Sequence, residues 1–350
     1  MLSLNNILKY PVLTILSRGK RSFENMGLLI RRSGDTVKRL LFPAETSHQQ
    51  SRNICQLMFA KSKTLCIGID DTLIRKPYSR FIQGAGMFFD TKIGRCIMAL
   101  RLTVGMITDG KFSIPIDCAY TFTKEILDLI KESFPTKNDI AKSFIKTAIN
   151  LFPGKKLIAV VDGLYASIKL VAWCKAQNIM LEFRMHSNRV VEYKGKRIKV
   201  KDLSRKKGLR PKGRQMSRTI SVTWHKIELE LTIVRRFDKN GKESIIFQGA
   251  TYKALPREHV ANYQRRWKVE ALNRTTKQEL GLQECFSRKL PTQRDHAAAV
   301  LLSYSLAQLE RKIARLKTVE QAIRRFKTQN AEPLMNRFVS LAEHLQYPYA

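Results

Sequence analysis

Two short runs of uninterrupted apolar residues constrain the fold of this chain, because each ends by delivering an aspartate. The first is Thr64-Leu-Cys-Ile-Gly-Ile-Asp70-Asp71-Thr72 and the second is Lys156-Leu-Ile-Ala-Val-Val-Asp162-Gly163. Apolar runs without polar alternation belong in a sheet covered on both faces. Ligands of such α/β sheets bind where the strands end, so Asp70, Asp71 and Asp162 become candidate site residues. Neighbouring strand residues point to opposite faces, so only one of Asp70 and Asp71 can face a given site. Capping a strand or helix end is the plainer use for each of these acids.

The surrounding pattern fits the same class. Ile97 to Ile107 and Phe112 to Tyr120 read as strands flanking Thr108-Asp109-Gly110-Lys111, a hairpin signal. Asp139 to Leu151 carries Ile140, Phe144, Ala148 and Leu151 at helical spacing and is closed by Pro153-Gly154. Leu164 to Lys175 reads as a further helix and Ile179 to Phe183 as a strand. Helical runs are expected at Phe23 to Ile30 and Thr36 to Leu41. Ser244 to Gly249 reads as a last strand, and residues 293 to 328 as two more helices.

A third candidate acid lies in Tyr263-Gln-Arg-Arg-Trp-Lys-Val-Glu270-Ala-Leu-Asn-Arg274-Thr-Thr-Lys277. Pro256 suits a first helical turn and Gly281 a stop, which predicts one helix from Pro256 to Leu280. At about 100° per residue, Arg266, Glu270 and Lys277 all fall within about 60° of Tyr263, with Trp267 and Arg274 beside them. Val269, Leu272, Thr276 and Leu280 gather on the far side as a core-facing stripe. Plain pairing of Glu270 with Arg266 and Arg274 at i±4 would use the same residues.

Read as a unit, Tyr-x2-Arg-x3-Glu-x6-Lys resembles the signature of one large group of bacterial insertion-sequence DDE transposases, and Tyr263, Arg266, Glu270 and Lys277 complete it. The resemblance implies an α/β, ribonuclease-H-like (retroviral-integrase-like) catalytic core in which Asp71, Asp162 and Glu270 are the catalytic, metal-binding acids. Asp71 is chosen because the group commonly carries acid-Asp-Thr here; Asp70 is the alternative. The implied cofactor is Mg²⁺ in a two-metal site, with Mn²⁺ as a substitute. Carboxylate oxygens suit such hard ions, and two of them can serve both the attacking and the leaving oxygen of a phosphoryl transfer. The resemblance further implies binding of terminal inverted repeats, strand cleavage that frees a 3′-hydroxyl, attack of that hydroxyl on target DNA, a hairpin intermediate and a homodimer in a synaptic complex. Tyr263, Arg266 and Lys277 would contact terminal phosphates. A flipped base needs an aromatic platform, for which Trp267 is the first candidate and Trp224 the second.

Composition narrows the partner. Lys and Arg number 64 against 29 acids, a net charge of +35 over 350 residues, which points to a polyanion. Between Arg189 and Arg218 thirteen Lys or Arg face only Glu192 and Asp202. Residues 185–244 therefore read as a basic, mostly β insertion, and Lys206, Lys207, Arg210 and Arg274 join the DNA-contact candidates. The expected division is a small basic helical region at 1–60, the catalytic core at 61–285 and a helical region at 286–350. Six cysteines without a C-x-x-C pair read as buried thiols in a reducing compartment. No apolar run approaches the roughly 20 residues of a membrane span, so the expectation is a cytoplasmic, nucleoid-associated protein. A catalytically inactive DNA-binding derivative and a structure-specific nuclease of the same fold are the rival readings.

Overall fold

The computed structural model describes residues 4–77, 79, 81–130, 134–206, 208–211 and 216–328. The chain opens with α1 (Leu4–Leu16), α2 (Phe23–Leu29), α3 (Gly34–Arg39) and α4 (Ala44–Phe59). Then come β1 (Thr64–Arg75), β2 (Gly86–Asp90), β3 (Arg95–Thr108) and β4 (Ser113–Thr121), followed by α5 (Lys124–Ile130) and α6 (Lys137–Leu151). Next are β5 (Lys156–Val161), α7 (Ile168–Ala176), β6 (Met180–Met185), β7 (Val190–Tyr193), β8 (Lys196–Lys199) and α8 (Val200–Leu203). The chain continues through β9 (Ser217–Trp224), β10 (Ile227–Phe237), β11 (Glu243–Ala250), α9 (Pro256–Gln264), α10 (Trp267–Glu279), α11 (Leu290–Ile313) and α12 (Val319–Lys327). This is a mixed α/β architecture with a central mixed sheet, consistent with the ribonuclease-H-like expectation.

Two compact units divide the chain. The first holds residues 1–62, 71–136 and 269–350, the second residues 63–70 and 137–268. β1 is common to both, with the passage between Asp70 and Asp71.

In the first unit β3 pairs antiparallel with β2 and with β4, the latter from Arg101↔Thr121 to Thr108↔Ser113. The expected hairpin turn is built by Asp109, whose Oδ1 accepts the N–H groups of Lys111 and Phe112 at 2.8 Å each, while Gly110 takes φ +97°. Helix α11 supplies the centre of this unit. Every residue from Ala297 to Glu310 is buried, as expected of a helix packed on all sides. Its polar side chains are tied off internally: Ser303 Oγ lies 2.7 Å from Thr14 Oγ1, and Ser305 Oγ lies 3.0 Å from Ser51 Oγ.

In the second unit the order is β1–β5–β6–β11–β10–β9–β7–β8. β1 runs parallel to β5 from Thr64↔Lys156 to Ile69↔Val161, and β5 runs parallel to β6. The rest pair antiparallel. Helix α6 buries Ile140, Ala141, Phe144, Ile145 and Ala148, the spacing its sequence predicts.

Three expectations need correction. β1 does not stop at its acids but continues to Arg75, so Asp70 and Asp71 lie within the strand. Helix α7 starts at Ile168, not Leu164, because Asp162 folds the chain into a turn first and Ser167 caps the helix by accepting Leu170 N–H at 3.2 Å. The single helix from Pro256 to Leu280 is two helices, interrupted at Arg265 and Arg266.

His296 gives the first unit a titratable weak point. Its Nε2 lies 3.0 Å from the carbonyl of Gly281 and its Nδ1 lies 2.7 Å from Tyr10 Oη. A carbonyl only accepts, so Nε2 carries the proton and Nδ1 accepts from the phenol, which fixes a neutral imidazole. Burial, aided by Lys76 and Arg21, pushes its pKa down to about 4 against the Gly281 hydrogen bond. The unfolded chain thus takes up a proton near pH 6.5 that the folded chain refuses until about pH 4. The stability that a neutral His296 contributes is therefore full above pH 6.5 and is lost as pH falls across that window, by on the order of 3 kcal/mol. Urea unfolding from pH 7 to pH 4 should show this slope, reduced by about one proton in His296→Gln.

Candidate active site

Asp70 and Asp71 sit side by side in β1 and have different partners. Asp70 Oδ2 lies 3.2 Å from Arg266 Nη1, and both side chains are largely buried, at 16% and 11% exposure. Asp71 Oδ1 accepts a 2.7 Å hydrogen bond from Thr103 Oγ1 on β3. Strand alternation accounts for the split: a side chain and its neighbour leave opposite faces.

Asp162 follows the last residue of β5. Its Oδ1 accepts the N–H groups of Leu164 at 2.8 Å and Tyr165 at 3.2 Å, which clamps the carboxylate against its own turn. Gly163 is packed against His186: a Cβ there would stand 2.7 Å from His186 Nε2, and the imidazole would have to shift to admit it.

The break between α9 and α10 is a tight turn in which Arg265 N–H bonds to Asn262 O and Arg266 N–H to Tyr263 O, both at 3.1 Å. Side-chain ties to β1 accompany it: Arg266 reaches Asp70, and Arg265 Nη1 lies 3.4 Å from Cys66 Sγ. Tyr263 and Arg266 are consequently buried, at 4% and 9% exposure, and do not stand on an open helix front. Burial raises the Tyr263 pKa, opposed by Arg266 and Arg184 and reinforced by the charge of Asp162. The Arg266 guanidinium sits 5.7 Å from the Tyr263 ring and 5.5 Å from the ring of Trp267, which is half exposed. Asp70, Asp162, Tyr263 and Arg266 thus all belong to the second unit.

Asp71, Glu270, Arg274 and Lys277 belong to the first. On α10, Glu270, Arg274 and Lys277 occupy i, i+4 and i+7, with Val269, Leu272 and Thr276 fully buried behind them. Arg274 is exposed. Burial, with Lys92 and Arg75 nearby, lowers the Lys277 pKa to about 8 against the pull of Asp90. Among the described residues no group of three or more His, Cys, Asp or Glu side chains is placed to hold a metal ion.

The remaining candidates are dispersed. Lys206 is exposed, its Nζ 5.8 Å from the Tyr193 ring, and Arg210 Nη2 pairs with Glu243 Oε1 at 2.7 Å. Lys207 lies outside the described residues. Trp224 is 2% exposed, so its ring is covered and offers no stacking face. Thr103 and His186 escaped the sequence reading, although the first lies on a strand beside β1 and the second just past the end of β6.

No helix among the described residues is long and apolar enough to cross a membrane. No curated protein matches the chain. A family model described as a transposase DDE domain matches residues 114–306, a span that contains Asp162 and Glu270 and begins after Asp71. That match takes in more than half of the chain, and the chain belongs to the transposase DDE domain family.

Proposed function

We propose that this transposase binds the ends of an insertion sequence, hydrolyses a strand there to free a 3′-hydroxyl and joins that hydroxyl to target DNA. The observation that carries the reading is that the transposase DDE match spans both Asp162, at the end of a buried parallel strand, and Glu270, in the first turn of α10. Both steps are in-line displacements at phosphorus: an oxygen bonds to the phosphorus as the bond to the leaving oxygen breaks.

Transposases of this family generally use divalent metals. Asp71, Asp162 and Glu270 would hold Mg²⁺, or Mn²⁺ in its place, since all their donors are hard oxygens. Bound there, the ions would supply activation of the attacking oxygen and neutralisation of charge on the leaving one. Asp70 is committed to Arg266, which favours Asp71 as the ligand, with Thr103 orienting its carboxylate. The two N–H groups on Asp162 Oδ1 hold that side chain for the same purpose. Arg274 and Lys277 would hold the strand under attack, and Tyr263 and Arg266 would position it, because correct placement of the reacting phosphate controls the rate. The half-exposed ring of Trp267 suits a flipped base during hairpin formation. Lys206, Lys207 and Arg210 would track phosphates further along the duplex. Two copies acting on two ends would form the synaptic homodimer, at the nucleoid where the DNA lies.

Three measurements test this reading. Asp71→Ala, Asp162→Ala and Glu270→Ala should each abolish cleavage of an end-bearing duplex while binding persists, and chelation of divalent metal should do the same to the unaltered protein; cleavage by any of the three variants would remove that acid from the site. Asp70→Ala and Arg266→Ala should each destabilise the fold by about 3–5 kcal/mol, as loss of one partner of a buried pair does, and a double-mutant cycle should show strong coupling between them. Additive effects there would restore Asp70 as the alternative ligand. Binding to end DNA should weaken as pH rises through 8, where Lys277 loses its charge in the free protein, and Lys277→Arg should flatten that pH profile between pH 7.5 and 9.5.

A further inference from the structure

Glu182 puts a carboxylate inside the second unit, 1% exposed, at a position of β6 flanked in the sheet by Val160 of β5 and Ala250 of β11. Three donors converge on one of its oxygens. His259 Nδ1 lies 3.0 Å from Oε1, Asn262 Nδ2 lies 3.5 Å from it, and the Tyr252 hydroxyl donates to it as well. The Asn262 amide also donates to Tyr252 Oη at 3.2 Å, which closes the cluster. Burial and the charge of Glu182 push the Tyr252 pKa up, so the phenol keeps its proton and stays a donor. With Oε1 accepting, His259 carries its proton on Nδ1.

This cluster is a poor way to gain stability. Glu182 Oε2 and His259 Nε2 are buried and hydrogen-bond to no protein group among the described residues. Apolar side chains of similar volume at these two positions would hold the helix to the sheet at least as firmly, and Val160 and Ala250 on either side already follow that pattern. A polar pair kept where the apolar rule is broken marks a position in use.

What the cluster holds is the approach to Tyr263 and Arg266. His259, Asn262 and Tyr263 stand at i, i+3 and i+4 of α9, on one helix face. Tyr263 packs on Cys66, Ile158 and Val160, and Val160 is the register partner of Glu182. Arg266 follows in the turn and reaches Asp70. Apolar contact is non-directional, so by itself the seat of Tyr263 lets α9 turn about its axis or slide along the sheet. Hydrogen bonds have preferred directions, and those to Glu182 remove that freedom one helical turn before Tyr263.

Resting on the reading given above, we propose that Glu182 and His259 are positioning residues for strand cleavage: their pairing fixes the rotation and height of α9 on the sheet, and with them the places of Tyr263 and Arg266 against the reacting phosphate. Both are covered, so neither contacts DNA. They act on the rate of cleavage and leave affinity alone, because a small displacement of a positioning group costs rate steeply.

The test separates stability from rate. Thermal unfolding, affinity for a duplex carrying the element end, and single-turnover cleavage of that duplex, prebound at saturation with Mg²⁺, are measured for His259→Asn, His259→Leu and the double variant Glu182→Leu/His259→Leu. His259→Asn retains an N–H donor near Nδ1 and should keep most of the cleavage rate; His259→Leu loses the donor and should cleave about 10–100-fold more slowly, with affinity unchanged. In the double variant an apolar pair replaces the polar one, so its Tm should equal or exceed that of His259→Leu, yet its cleavage should stay slow. A purely structural role predicts that the rate recovers together with the Tm, and that result would overturn the proposal while leaving the transposase reading intact. Should the double variant not fold, the two single variants decide: equal rates for His259→Asn and His259→Leu, at a temperature where both are folded, would likewise overturn it. An unaltered protein that cleaves no end-bearing duplex would overturn both readings.

Discussion

A guanidinium taken out of water has to meet a carboxylate, and the pairing of Arg266 with Asp70 sets much of what surrounds it. To reach β1, Arg266 leaves the helical path, and the chain makes its turn between α9 and α10 at that residue. Once Asp70 is turned toward Arg266, strand alternation turns Asp71 the other way, to where Thr103 waits on β3. One largely buried ion pair thereby gives two adjacent acids different partners, Arg266 for Asp70 and Thr103 for Asp71. It also explains why Tyr263, one helical turn earlier, lies under cover with its hydroxyl in the field of Asp162.

Much of this organisation was legible in the residues, and the lapses have physical causes. Runs such as Leu157 to Val161 identify themselves because a fully apolar strand has few other places to go. The stop of α6 at Pro153-Gly154 and the Asp109-Gly110 turn were equally readable, since each uses backbone chemistry that few residues supply. The helical wheel through Tyr263 and Lys277 assumed a continuous helix, and no local signal at Arg265-Arg266 announces the break; it is tertiary, made by two side chains reaching back to β1. β7 and β8 were hidden by their own lysines and arginines, because an exposed hairpin has little apolar alternation to show. The Lys194-Gly195 pair between Tyr193 and Lys196 was the available signal. The candidate acids followed from strand ends and from a spacing resemblance, whereas Thr103 and His186 required three-dimensional neighbours.

The excess of positive charge acquires a more specific meaning in the fold. Several cations are committed internally: Arg21 to Glu284, Arg52 to Asp117, Lys76 to the carbonyls of Gln283 and Cys285. Others stand against aromatic rings, as Lys142 and Lys146 do over Trp173. Formal charge therefore overstates what is available to a polyanion, and the cations that count are those held in place without a carboxylate of their own.

Helix α11 has a further consequence, in time instead of space. Its partners in α1 lie far back along the chain: Tyr10 bonds a residue 286 positions away and Thr14 one 289 positions away. At ordinary synthesis rates of about 5–20 residues per second, the N-terminal helices emerge about 15–60 s before the helix that covers them, given that 289-residue separation. During that interval the cluster of Tyr10, Leu13, Met26 and Val37 lacks Ala299, the member that α11 supplies. The first unit is therefore completed late, when α11 joins segments of the chain made long before it.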